Sequence, residues 1–153
     1  MMSLCCDVLS ALKGRTLVTA ESCTGGSIGA ALTAVPGSSE VYKGGIISYT
    51  NWVKQHVLDV DEELLTSEGA VSSSVAESMA DGVRKRLHAD VSVSVTGLAG
   101  PGADDFGNPV GTVYIGYSDK NLTISNKFQF EGSREEIRNQ AVIESLKIIL
   151  AYN

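Results

Sequence analysis

The sequence predicts an α/β fold, a three-layer α/β/α sandwich built on a mixed sheet of about five strands. Three observations lead there. Short apolar runs that read as strands are interleaved with segments of helical period. The last two such runs are separated only by a tight polar turn, which makes them an antiparallel pair. The length, 153 residues, suits one domain spanning residues 1–153 around one core.

Each element has its own justification. Residues 3–13 (SLCCDVLSALK) put Leu4, Val8 and Leu12 at helical spacing, and Gly14 can end that helix. TLVTA (16–20) reads as a short buried strand. ESCTGGSIGAALTAV (21–35) follows as a polar, Gly-rich turn and then a helix, closed by Pro36-Gly37. VYKGGIISYT (41–50) is the second strand region, and NWVKQHVLDV (51–60) is a short helix capped by Thr50 or Asn51. Leu64 and Leu65 lie in another short helix, ended by Gly69. Residues 72–89 form an amphipathic helix with serines at its start and a basic last turn, which suits the helix dipole. DVSVSVTG (90–97) alternates Val with Ser and runs into a long loop. VGTVYIGYS (110–118) and LTISNKFQF (122–130) pair across the turn Asp119-Lys120-Asn121. Ser133 and Glu136 make a capping box for a last helix that runs to about residue 150.

Composition narrows the function classes. Hydrophobic residues at 43% and charged residues at 20% place the chain among globular proteins. Its net charge of -6, with no stripe of Lys or Arg, argues against nucleic acid as a partner, because that binding relies on neutralising phosphates. No apolar run reaches the roughly 18 residues of a membrane span, and the first residues lack the basic-then-apolar pattern of a signal peptide. Cys5, Cys6 and Cys23 are an odd set with two adjacent members, a poor disulfide framework, which points to a reducing, cytoplasmic setting. They lack the spacing of a zinc site, and no metal or cofactor is expected.

Chemistry is concentrated at three places. In ESCTGG (21–26), Ser22 stands at the carboxyl end of a strand, just before a helix, where ligands of open α/β sheets collect. Backbone N–H groups there can hold an oxyanion or a phosphate, and Gly25 and Gly26 let the backbone come close to a ligand. By itself the segment reads more readily as a plain Ser or Thr helix cap. A serine nucleophile needs a base. His88 falls in the last turn of a basic helix, where it is expected to face solvent, and His56 has no acidic partner that the sequence picks out, so a Ser-His-Asp triad is poorly supported. That leaves a Ser-Lys or Ser-Tyr-Lys arrangement. SYTNWVK (48–54) offers Tyr49 and Lys54 at one sheet edge, although the pair alone also fits surface decoration. The long Gly/Pro loop TGLAGPGADDFGNPVGT (96–112) can form an anion-binding nest, with Asp104 and Asp105 expected to point outward. Arg134 and Arg138 lie one turn apart on the last helix, and either can reach a substrate phosphate.

Taken together, TAESCTGG (19–26), PGSS (36–39), GGIISYTNWVK (44–54), GAVS (69–72), TGLAGPGADD (96–105), PVGTVYIG (109–116) and GSREEIRNQA (132–141) resemble the CinA C-terminal domain family. The resemblance runs in order from about residue 5 to the end, and the chain looks like the family's stand-alone form. It implies a nicotinamide-nucleotide amidase that converts nicotinamide mononucleotide (NMN) to nicotinate mononucleotide and ammonia in pyridine-nucleotide salvage. It also implies Ser22 as nucleophile, assisted by Tyr49 and Lys54. Cys23, Thr24, Gly25, Gly26, Asn51, Thr96, Gly97, Gly100 and Arg138 are then the expected substrate-binding residues, with no metal and no cofactor. The family commonly forms dimers, so a homodimer or higher homo-oligomer is expected. Two other functions fit the same residues: a non-catalytic nucleotide-binding or regulatory module, and an amidase of a different small amide.

Overall fold

Five strands in the order β2-β1-β3-β4-β5 form the central sheet. The computed structural model describes residues 1–153. The strands are β1 (Leu17–Glu21), β2 (Tyr42–Ile47), β3 (Val91–Gly97), β4 (Thr112–Ser118) and β5 (Thr123–Gln129). β1 is parallel to β2 and β3, whereas β3–β4 and β4–β5 are antiparallel, so the sheet is mixed as predicted. The helices are α1 (Met2–Ala11), α2 (Ser27–Thr33), α3 (Asn51–Leu58), α4 (Glu62–Ser67), α5 (Ser73–Arg86) and α6 (Arg134–Tyr152).

Strand pleating sends alternate residues to opposite faces, and each face is covered by helices. Leu17, Val93, Val95, Val113 and Ile115 pack with α1, α2 and α6 in one apolar cluster. Val18 and Ala20 turn the other way, to Leu58, Leu65, Val75, Met79 and Val83 of α3, α4 and α5. Fully buried side chains such as Leu17, Ile115 and Leu146 each contribute roughly 1.5–3 kcal/mol. The capping box of α6 is formed as expected, with the Ser133 side chain accepting from the Glu136 N–H and the Glu136 carboxylate from the Ser133 N–H.

The Val/Ser alternation of β3 is the pattern of a half-wet strand, yet six of its seven residues are buried and Gly97 is half-buried. Its hydroxyls face α5 and donate to carbonyls of that helix and of the turn before it. Ser92 Oγ donates to Ala80 O at 2.6 Å, Ser94 Oγ to Ala76 O at 2.6 Å and Thr96 Oγ1 to Ala70 O at 2.7 Å. This requires α5 to lie close to the sheet. Gly116 on β4 makes the room: a Cβ there would stand 2.4 Å from Ala76 O. The serines of β3 are therefore a bonded core seam, and they fix Thr96 beside the carboxyl end of the strand.

Candidate active site

The carboxyl ends of β1, β2 and β3 meet where the chain leaves β1 for β2 on one side and has β3 on the other. Ligands of open α/β sheets bind at such a switch point. A cleft of about 290 Å³ opens there, near the lower end of the range for small-ligand sites.

Pleating at the end of β1 separates two neighbouring side chains. Glu21 continues the face of Leu17 and Thr19, towards α2. Ser22, one residue on, faces α3. Lys54 comes from the first turn of α3, whose N-cap is Thr50, with its hydroxyl accepting from the Val53 N–H at 3.4 Å. Thr50 as cap leaves Asn51 as the first helical residue, and Asn51 lines the cleft.

The Lys54 amine is 1% exposed. Its Nζ lies 2.9 Å from Ser22 Oγ, 2.7 Å from the Ser48 carbonyl and 3.3 Å from the Tyr49 carbonyl. Burial disfavours the ammonium and lowers its pKa to about 8, with the Cys23 thiol opposing in part. A neutral amine in this place donates its two hydrogens to the two carbonyls. Its lone pair is then left for the Ser22 hydroxyl, within the range for direct proton transfer. Cys23 is also buried, and desolvation pushes its thiol up to about 11, so it stays protonated beside Ser22 at neutral pH.

Several expected site residues sit elsewhere than the sequence suggested. Ser22 is not the cap of α2: that helix starts at Ser27, and its N-cap is Gly26, left-handed at φ 99° and without a side-chain bond. The helix N-terminus is not open to a ligand, because the Glu21 carboxylate accepts from the N–H groups of Gly26, Ile28 and Gly29 at 2.9–3.0 Å. The Gly25 N–H bonds the Ser22 carbonyl. Of the N–H groups in Cys23–Gly26, those of Cys23 and Thr24 have no acceptor in another residue. Cys23, Thr96, Gly97 and Gly100 line the cleft, whereas Thr24, Gly25 and Gly26 do not: Thr24 is fully buried, Gly25 is exposed and Gly26 lines a separate depression beside Tyr42.

Of the two arginines, the one expected in the substrate site lies outside the cleft and the other lies in it. Arg138 does not line the cleft. Its Nε donates to the Cys23 carbonyl at 3.0 Å and its Nη2 to the Thr24 carbonyl at 3.1 Å, tying the nucleophile turn to α6. Arg134 lines the cleft, donating to the Gly100 carbonyl at 2.6 Å and to the Tyr49 hydroxyl at 3.1 Å. The Tyr49 hydroxyl therefore stands at the mouth with Arg134, and Lys54 reaches Ser22 without a relay. Asp104 accepts from the Phe106 and Asn108 N–H groups and from the Asn108 side chain, so it braces its own loop rather than pointing freely outward. No carboxylate lines the cleft, while the Arg134 guanidinium does, which suits an anion.

The chain matches the model of the CinA C-terminal domain over residues 3–152. The chain belongs to that family. A CinA-like protein of Desulfotalea psychrophila is 51% identical over 140 residues, covering 92% of this chain and 34% of the relative. Another from Parasynechococcus marenigrum is 48% identical over 151 residues, covering 97% of this chain and 35% of the relative. The chain thus spans about a third of the length of the curated relatives it matches. Among solved structures it is similar to competence damage-inducible protein A from Klebsiella pneumoniae, with a TM-score of 0.95, 33% identity, and coverage of 99% of this chain and 97% of that one. It is also similar to the competence/damage inducible protein CihA from Agrobacterium tumefaciens, with a TM-score of 0.94, 38% identity, and coverage of 98% and 93%. The CinA fold of these proteins is the mixed sheet described above.

Glu21 was not legible as a site residue, since a single acid at a strand end carries no signal of its own. Only the pleat direction and the position of α2 reveal its bonds. Arg134 carried the same signal as Arg138, and the rotation of α6 decided between them.

Proposed function

We propose that this chain is an amidohydrolase that converts NMN to nicotinate mononucleotide and ammonia, with Ser22 as nucleophile and Lys54 as its base. The observation that carries the reading is the buried Lys54 amine, 2.9 Å from Ser22 Oγ and with its pKa lowered to about 8. A site that only bound a nucleotide would have no use for a desolvated amine on a serine hydroxyl.

Neutral Lys54 takes the Ser22 proton as Oγ attacks the carboxamide carbon. The oxyanion accepts from the N–H of Cys23, which lines the cleft beside Ser22. Lys54 returns its proton to the amide nitrogen, the C–N bond breaks, and ammonia leaves an acyl ester on Ser22. Neutral Lys54 then deprotonates a water, which attacks the ester. The acid product departs and the proton returns to Ser22. Arg134 is placed to receive the phosphate, exchanging its bonds to Gly100 and Tyr49 for charge-assisted ones. Asn51 and Thr96 complete the polar lining, and Tyr49 holds the mouth rather than the proton.

The test is ammonia release from NMN by wild type and Ser22→Ala. Wild type is expected to turn over, and the variant to lose roughly a thousandfold or more in kcat. Near-native release by Ser22→Ala would overturn the assignment of the nucleophile. No release by wild type, with release from other small amides, would overturn NMN as substrate.

A further inference from the structure

We propose that Glu21 is a positioning residue: with Arg138 it clamps the turn carrying Ser22 from both sides and so sets the aim of the nucleophile and of the oxyanion donor. This rests on the amidase reading of the Ser22 site.

Glu21 is 1% exposed and makes no ion pair with any Lys or Arg. A buried acid without a cation needs hydrogen-bond donors. Its Oε2 accepts from the Gly26 and Ile28 N–H groups at 3.0 Å each, and its Oε1 from the Gly29 N–H at 2.9 Å. A carboxylate has only acceptor sites, and three donors converge on it. The α2 terminus is thereby consumed by the protein's own side chain. It anchors the far end of the turn to the residue directly before the nucleophile.

Arg138 acts on the middle of the same turn by holding the Cys23 and Thr24 carbonyls. In a trans peptide the C=O and the following N–H point in opposite directions. Fixing the Cys23 carbonyl on α6 therefore directs the Thr24 N–H away from Arg138. The backbone bonds at either end complete the frame: the Ser22 N–H donates to the Val95 carbonyl at 2.9 Å, and the Ser48 N–H to the Glu21 carbonyl at 2.8 Å. Ser22 is thus held between β3 and the strand end that presents the Lys54 acceptors. Glu21 touches no reacting atom, and its effect passes through the turn.

Glu21→Gln tests this, because the amide keeps the size but offers one oxygen and a donor where three N–H groups point. Two readouts are needed. The first is kcat and KM for ammonia release from NMN across pH. The second is the rate at which a fluorophosphonate labels Ser22, read by intact mass, which does not depend on NMN being the substrate. The expected result is a 10- to 100-fold loss in kcat and in labelling rate, the scale of a small misplacement of a reacting group. KM should stay within about twofold, the pH midpoint should be unchanged, and thermal melting should show a folded variant. Labelling of a folded Glu21→Gln within twofold of wild type would overturn the proposal. If Glu21→Gln does not fold, Arg138→Lys loosens the same turn from the other side. It should then show the same loss of labelling rate, and a wild-type rate would overturn the clamp. Wild type that labels at Ser22 but releases no ammonia from NMN overturns the substrate alone. Wild type that never labels at Ser22 overturns the clamp as well.

Discussion

The two sides of the cleft differ in burial, and that difference divides their tasks. The inner wall is made of Ser22 and Lys54, which are 7% and 1% exposed, backed by the buried Ser48. The outer rim is made of Tyr49, which is 56% exposed, together with Asn51, Arg134 and the loop residues Gly100 and Gly102. On the inner wall every contact is short and enclosed, so a charge there is costly and a proton moves easily between Lys54 and Ser22. On the rim, solvent pays part of the cost of breaking a contact, and Arg134 can exchange Tyr49 and Gly100 for a ligand. The comparison teaches that proton transfer is placed where water is excluded, and recognition where water can be displaced.

Four measurements break or sharpen that division. Lys54→Met should have the largest effect, a loss of roughly a thousandfold or more in kcat with KM little changed, since the side chain keeps its bulk and loses its base. A variant with more than a tenth of wild-type kcat would break the assignment of proton transfer to the inner wall. The next effect is in pH. The Lys54 amine must be neutral to accept the Ser22 proton, and burial lowers its pKa to about 8. Activity is therefore expected to rise with pH, reach half its plateau near 8 and fall about tenfold for each unit below that. A rate profile that is flat from pH 6 to 9 would contradict it.

Arg134→Ala comes third. Removing a charged donor to an anion costs about 1.5–3 kcal/mol, or about 10- to 150-fold, expected in KM with kcat nearly kept. An equal collapse of kcat would show that the rim shares in the chemistry. Tyr49→Phe is the smallest: it removes one bond to Arg134 and should change kcat/KM by about five- to tenfold. A loss of a thousandfold instead would make the tyrosine a proton carrier. The ratio of the two rim variants then measures how much of Arg134 is preorganised by Tyr49.

Much of the fold was legible. The short apolar runs and their turn residues marked five strands, and the Ser133–Glu136 box marked the start of α6, because these depend on local periodicity and local bonds. The β3 serines were harder: their alternation is ambiguous until α5 is known to lie against them. The site was legible as a set of segments. Ser22, Tyr49 and Lys54 were named from residue type and from the resemblance of the motifs, and the structure brings Ser22 and Lys54 within a hydrogen bond. It sends the Tyr49 hydroxyl to Arg134 instead.

What the sequence determined by itself is therefore the family, the element order and the residues able to do chemistry. What only the tertiary structure decided is where each side chain points. Pleating at the end of β1 sent Glu21 to α2 and Ser22 to Lys54. The rotation of α6 put Arg134 in the cleft and Arg138 on the turn. Occupation of the α2 terminus by Glu21 left the Cys23 and Thr24 N–H groups without an acceptor in another residue. The physical reason is one of range. Periodicity and capping act over a few residues, whereas the burial that lowers the Lys54 pKa and aims it at Ser22 comes from segments 32 residues apart in the chain.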